Sequence, residues 1–267
     1  MRSPARVLII AGSDSGGGAG IQADIKTVAA FGGFATTAIT ALTAQNTLGV
    51  RGVLPVPPDF VAQQIAAVLE DIGTDAIKTG MLADGAIIEA VAAAIAGCSA
   101  PLVLDPVMVA KGGRDLLDPL ALDRLRALLI PRAALLTPNV PEAALLAGIE
   151  IENIDDMRRA AGILARAGCG AVLIKGGHLA GDVVRDFLLA GGQEEIFAAP
   201  RIATTAGHGT GCTLASAIAV GLAQGVGLSD AVRAARDYVR AALAAGLALG
   251  AGHRPLDHSV LGGWSGR

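Results

Sequence analysis

The chain is short of cysteine, aromatic residues and charge, and each shortage excludes something. Its three cysteines, Cys98, Cys169 and Cys212, form no CxxC pair and show no metal-ligand spacing. Such an odd, scattered set reads as reduced thiols in a cytoplasmic protein, with neither a disulfide framework nor a zinc site. Phe, Trp and Tyr make up only 3% of residues, too few for a base-stacking platform. Charged residues supply 17%, the net charge is −3, and there is no basic block. That argues against nucleic acid or an anionic membrane as partner. Long apolar runs are missing too: Leu214–Ala223 and Ala241–Ala251 are Ala/Gly-rich and fall well short of the ~18 residues needed to span a bilayer. The stretch Met1 to Ile10 has too short an apolar run for a leader and reads as a first buried strand entering a glycine loop. Neither GxxxxGK[ST] nor a complete GxGxxG occurs, so a nucleotide would have to be held another way.

What the chain has in quantity is apolar residues, 52% of 267, enough for one large core in a single domain over 1–267. Short β-branched runs alternate with Ala/Leu-rich stretches. Strands are expected at Val7–Ala11, Phe34–Thr40, Ala76–Thr79, Leu102–Asp105, Ala134–Thr137 and Ala171–Lys175. Helices are expected at Ala19–Phe31, Asp59–Asp71, Gly85–Ala96, Leu120–Leu129 and Met157–Ala167. Val183–Leu189 and Glu195–Ala199, around Gly191-Gly192, read as a small hairpin, and Gly211–Gly225 and Ser229–Leu249 as closing helices. Strands separated by helices predict an α/β fold of three layers, α/β/α, with a mostly parallel central sheet and helices on both faces.

Several strands end in a polar residue followed by a breaker: Gly12-Ser13-Asp14, Asp105-Pro106, Thr137-Pro138-Asn139 and Lys175-Gly176-Gly177. Ligands of open parallel sheets bind outside the carboxyl ends of the strands, so these residues are expected along one edge. The segment His208-Gly209-Thr210-Gly211-Cys212-Thr213-Leu214 turns a glycine loop into a helix with bare N–H groups, which suits a phosphate. Cys212 sits in that first turn, where the same field stabilises a thiolate. Five glycines in the nine residues Gly12–Gly20 let backbone approach a ligand closely. Asn139 and Glu142 have the spacing of a helix cap, and equally offer oxygen ligands to magnesium. Lys175, one of four lysines, stands at a buried strand end where a phosphate would meet it, and Asp105 at another could serve a metal. His178, His208, His253 and His258 lack metal spacing and read as local hydrogen-bonding groups; Cys98 and Cys169 read as packing.

Taken together, the blocks GSDSGGGAGIQADIKT (12–27), TAITALTAQNTLGV (37–50), KTGML (78–82), LDPVMVAKGG (104–113), LLTPNVPEA (135–143), LIKGGH (173–178) and HGTGCTLASAIA (208–219) resemble the hydroxymethylpyrimidine/phosphomethylpyrimidine kinases of thiamin biosynthesis, in the ribokinase-like superfamily. The resemblance covers nearly the whole chain. It implies ATP- and Mg2+-dependent phosphorylation of 4-amino-5-hydroxymethyl-2-methylpyrimidine, first to the monophosphate and then to the diphosphate, by an often dimeric enzyme. It implies that Gln45 contacts the pyrimidine and that Asp24, Gly12, Met81, Val107 and Met108 line the same pocket. Glu142 and Asp105 match magnesium or phosphate positions, with Asn139 beside them and Lys175 as a triphosphate contact. Gly209, Thr210, Gly211 and Cys212 match the anion hole and catalytic base. Two positions depart from the family: Ala206-Gly207 replaces a frequent Asn-Thr, and Gly112 a frequent serine. A pyridoxal kinase of the same fold, or a non-catalytic pyrimidine-binding sensor, stays open as an alternative. A Gln carboxamide complements an aminopyrimidine edge, which favours the pyrimidine.

Overall fold

The computed structural model describes residues 3–108, 121–204, 206–260 and 262–263. Gly112 and Leu120 lie outside the described residues. β1 (Arg6–Asp14) runs through the centre, and its side chains alternate between two cores. Leu8 and Ile10 face one; Val7 and Ile9 face the other. The chain continues as α1 (Gly20–Ala30), β2 (Phe34–Asn46), β3 (Gly49–Pro55), α2 (Pro58–Asp71), β4 (Ala76–Thr79), α3 (Gly85–Ala94), β5 (Leu102–Leu104) and α4 (Ala121–Arg124). A π-helical turn (Leu125–Leu129) and a 3₁₀ turn (Ile130–Arg132) extend α4. Then come β6 (Ala133–Leu136), α5 (Val140–Ala147), α6 (Ile154–Arg166), β7 (Ala171–Ile174), β8 (Val183–Ala190), β9 (Gln193–Pro200), β10 (Ala206–His208), α7 (Thr210–Ala223), α8 (Leu228–Ala245) and β11 (Arg254–Pro255).

The main sheet has nine strands in the order β3-β2-β1-β4-β5-β6-β7-β8-β9. β2, β1, β4, β5, β6 and β7 are parallel; β3, β8 and β9 are antiparallel additions at the two sides. Val61 and Ile65 of α2, Ile87 and Val91 of α3, Leu146 of α5 and Met157 and Leu164 of α6 fill one core. Ile21 and Val28 of α1, Leu214 and Ile218 of α7 and Val232 and Tyr238 of α8 fill the other. The three-layer expectation therefore holds, hairpin included. Among the described residues, no helix is long and apolar enough to cross a membrane.

The differences have local causes. β2 does not stop at Thr40 but runs to Asn46, pairing Leu42 and Thr43 with the end of β1 and returning through β3. Its polar tail, Thr43-Ala44-Gln45-Asn46, reads as loop in one dimension and is ordered by β3 along its length and by β1 at Thr43. α6 starts at Ile154 rather than Met157, because the Asn153 carboxamide accepts from the N–H groups of Asp155 and Asp156. The expected helix over Leu120–Leu129 is α-helical only to Arg124, the last turn before Pro131 having widened.

β1 and β4 are neighbours, yet the chain leaves β1 toward β2 and continues from β4 toward β5, so the sheet order reverses between them. The crevice at such a point is where open α/β sheets take their ligands. Beneath it lies an ion pair with no exposure to water: Lys78 Nζ of β4 donates to Oδ1 and Oδ2 of Asp24 in α1, both at 2.9 Å. Ser216 of α7 donates to Asp24 Oδ1 at 2.7 Å. Removing one partner of a buried pair strands the other charge, so Asp24→Ala is expected to cost about 3–5 kcal/mol in urea unfolding. Asp24→Leu combined with Lys78→Met removes both charges and is expected to recover most of that loss. A double variant as unstable as the single one would show that the charges are not what ties these elements together.

Candidate active site

Two backbone approaches shape the site, and both need glycine. Gly209 holds φ at +86° as the residue that opens α7, and a Cβ there would overlap the carbonyl oxygen of Gly18. A Cβ on Gly18 would lie 2.6 Å from Cδ2 of His208. The glycine loop after β1 is therefore pressed against the turn into α7. Asp14 fastens this arrangement. Its Oδ1 accepts from Gly16 N–H at 2.8 Å, and its Oδ2 from Gly18 at 3.1 Å, Ala19 at 2.8 Å and Nε2 of His208 at 2.9 Å. The sequence already places Asp14 among the polar strand ends, and an Asp two residues before a glycine is also a recognisable turn signal.

A cavity of about 840 Å³ opens along the carboxyl ends of the parallel strands. Gly12, Gln45, Met81, Val107 and Met108 line it. So do Asp105, Asn139, Glu142, Lys175, Gly209, Thr210, Gly211 and Cys212. Thus residues up to 200 positions apart in sequence share one wall. Asp24 does not belong to that wall. It is wholly buried behind it, held by Lys78 and Ser216, which corrects its expected place as a pocket residue. Desolvation of a carboxylate requires such partners.

Lys175 and Asp105 form an ion pair at 2.8 Å directly over the first turn of α7, where a Cβ on Gly211 would lie 3.2 Å from Lys175 Nζ. Burial works against the ammonium, but Asp105 and Glu142 outweigh it and hold its pKa above the ordinary lysine range. The loop after Lys175 is secured by groups the sequence did not single out. Gly176 N–H donates to Asp186 Oδ1 at 2.8 Å, and Arg236 Nε to Asp186 Oδ2 at 2.7 Å. The guanidinium of Arg201 donates to the carbonyls of Gly177, Leu179 and Gly181.

Asn139 and Glu142 do form the helix cap: Asn139 Oδ1 accepts from Glu142 N–H at 2.9 Å, and Glu142 Oε2 from Asn139 N–H at 2.8 Å. Glu142 nonetheless lines the cavity, so capping and a ligand role are compatible. Burial pushes its carboxyl up to about 7, Asp105 adds to the rise, and Lys175 opposes it. Two close acids served by one lysine leave negative charge under-compensated, which fits a hard divalent cation there. No group of three or more His, Cys, Asp or Glu among the described residues could hold a metal ion. Magnesium would accordingly rely on phosphate oxygens and water for its remaining ligands.

Cys212 departs from the expected thiolate. Burial pushes its thiol up to about 11; Lys78 pulls it down, while Asp24 and Asp105 push it further up. The field of the helix end and a backbone N–H from Gly20 do not offset that desolvation and the two carboxylates. Of the remaining cysteines, Cys169 is buried and Cys98 half-buried, both in the core on the α3 side, as expected. His258 Nε2 lies 3.0 Å from Thr213 Oγ1, so the C-terminal segment braces α7 beside Cys212.

The family described as phosphomethylpyrimidine kinase matches residues 14–257. The chain is 49% identical to the hydroxymethylpyrimidine/phosphomethylpyrimidine kinase of Streptomyces coelicolor over 263 residues, 98% of this chain and 96% of that relative. Among solved structures it is similar to the ADP complex of Bacillus subtilis pyridoxal kinase, with a TM-score of 0.91, 38% identity and coverage of 97% and 99% of the two chains. It is also similar to the phosphomethylpyrimidine kinase of Clostridium difficile, with a TM-score of 0.80, 41% identity and coverage of 89% and 99%.

A thiol with a pKa near 11 stays protonated at neutral pH. In a Cys98→Ser/Cys169→Ala background, the rate of Cys212 alkylation by iodoacetamide is expected to rise about tenfold per pH unit through pH 8–10 without levelling. A plateau below pH 8 would mean that the ligand-free site already carries a thiolate.

Proposed function

The chain belongs to the phosphomethylpyrimidine kinase family, and from that premise we propose that it transfers the terminal phosphoryl group of ATP to 4-amino-5-hydroxymethyl-2-methylpyrimidine and then to the resulting monophosphate. The observation that carries this reading is one cavity lined at once by the Gln45 carboxamide and by Lys175 with the amino end of α7. Gln45 offers the acceptor and donor that an aminopyrimidine edge requires. Met81, Val107 and Met108 supply apolar walls for the ring. Backbone N–H groups of the Gly209–Cys212 turn and the Lys175 ammonium oppose the charge of the transferring phosphoryl group, which in this chemistry is most of catalysis. Gly177 and Arg236 line the same cavity, which leaves room for the rest of the nucleotide. Asp105 and Glu142 would hold magnesium, which neutralises phosphate charge when bound. A pyridoxal substrate, with its phenol and ring nitrogen, meets Gln45 less well; kcat/KM for the two alcohols is expected to favour the pyrimidine.

The two phosphorylations differ in their need for a base. The first must remove a proton from the hydroxymethyl group; the second uses a phosphate oxygen already largely ionised, its second pKa being about 6. Cys212 serves the first from its ionised minority. Because its pKa is raised to about 11, that minority grows as pH rises, so above the titration of Glu142 near 7 the first step is expected to accelerate from pH 8 to 10 while the second stays flat. Cys212→Ala is expected to slow the first step about 10²–10⁴-fold and the second less than tenfold. Single-turnover assays with Mg·ATP, products identified by mass, read both rates. Equal losses would assign Cys212 to the anion hole or to packing, and no nucleotide consumption by the native chain would sink the kinase reading itself.

The expected homodimer is supported by Leu42, Leu48 and Leu54, exposed on β2, β3 and the turn between them. Leu54→Asp is expected to shift the sedimentation coefficient to that of a monomer.

A further inference from the structure

The surroundings of the Gln45 carboxamide dictate which way it faces. As placed, the amide nitrogen lies 3.1 Å from Nε2 of His208 and the amide oxygen 3.3 Å from Oγ1 of Thr43, and the neighbours' own protons require the two to be exchanged. Amide oxygen and nitrogen share an outline, so hydrogen-bonding partners decide between them. Asp14 is buried; burial favours its neutral form, but His208 and the Gly16 and Ala19 N–H groups outweigh that and hold its carboxyl below the usual range. An ionised carboxylate only accepts, so Nε2 of His208, 2.9 Å from Asp14 Oδ2, carries a hydrogen. A protonated ring nitrogen cannot accept from an amide NH2, but it can donate to an amide oxygen in a shared bond. At the other end, the one hydroxyl hydrogen of Thr43 is engaged by the Ser13 carbonyl at 2.9 Å. Thr43 therefore offers Gln45 a lone pair and receives from NH2. Both neighbours give the same answer.

We propose that Asp14 and His208 are specificity-determining positioning residues, locking the Gln45 carboxamide with its oxygen toward the imidazole and its NH2 toward Thr43. This rests on the pyrimidine reading of the cavity. Locked so, Oε1 keeps a lone pair for an exocyclic amine, and NH2 keeps a hydrogen for a ring nitrogen. An amide free to turn would serve the inverted edge of a 4-oxopyrimidine, with its ring N–H and carbonyl oxygen, equally well. The lock therefore makes the enzyme select amine over carbonyl at that carbon. Ser15 restrains the backbone of the same residue, accepting from Gln45 N–H and donating to its carbonyl, both at 2.8 Å, so the side chain cannot evade the constraint by shifting bodily.

The test compares kcat/KM for 4-amino-5-hydroxymethyl-2-methylpyrimidine and its 4-oxo analogue in the native enzyme, His208→Ala and Asp14→Asn. The native enzyme is expected to prefer the amine strongly, and each variant to shrink that ratio at least about tenfold, with loss on the amine exceeding loss on the oxo compound. General damage to the fold lowers both substrates alike and leaves the ratio in place. Asp14→Asn keeps the side-chain shape and an acceptor for the glycine loop, and calorimetric binding of the two heterocycles gives the same ratio if turnover is lost. Native preference for the amine with unchanged ratios in both variants overturns the lock. A native enzyme that binds and phosphorylates neither compound overturns instead the pyrimidine reading beneath it.

Discussion

The buried pair of Lys78 and Asp24 is the constraint on which the rest of the architecture depends. It joins α1, β4 and, through Ser216, α7, at the place where the sheet order reverses. These three elements carry the glycine loop on one side and the cavity-facing end of α7 on the other. A hydrophobic contact there would hold the layers together without fixing their angle. A charged pair with both oxygens engaged at 2.9 Å tolerates little sliding, because any displacement leaves a charge in a dry interior. Gly18 and Gly209 can then be pressed together closely enough that neither could carry a side chain.

Above that foundation the cavity carries an electrostatic gradient. At one end Asp105, Glu142 and Lys175 crowd together, and burial, with Asp105 adding to it, raises the pKa of Glu142 to about 7. At the other, Asp14 is saturated by N–H donors and stays ionised. Two buried carboxyl groups in one cavity therefore behave oppositely, since four donors outweigh the burial of one, while the burial of the other is reinforced by a second acid. Cys212 stands between lysines and carboxylates, and its thiol follows the burial rather than the helix end.

Much of this was legible in one dimension. The alternation of β-branched and Ala/Leu-rich runs gave the layers, and strand ends at Asp105, Asn139 and Lys175 pointed to a common edge before any partner was known. The capping spacing of Asn139 and Glu142 was also visible. Less legible were features whose causes are non-local. The polar tail of β2 becomes a strand only because β3 pairs along it and β1 meets it at Thr43. Asp24 lies in the glycine-loop motif and looks like a ligand-binding residue, yet its partners are 54 and 192 positions away. Asp14 reads as a polar strand end and His208 as a local hydrogen-bonding group; that they meet, 194 positions apart, is written at neither position.

By itself, then, the sequence determined the class of fold, the residue types gathered at the strand ends and the family, because periodicity and motif spacing are local properties written in order along the chain. Only the tertiary structure decided which acids face the cavity and which are sealed behind it, that burial and two carboxylates raise the Cys212 thiol, and that His208 and Thr43 flank the Gln45 amide. Those outcomes depend on dehydration and on donors brought from distant segments, and neither is encoded at the position it acts upon.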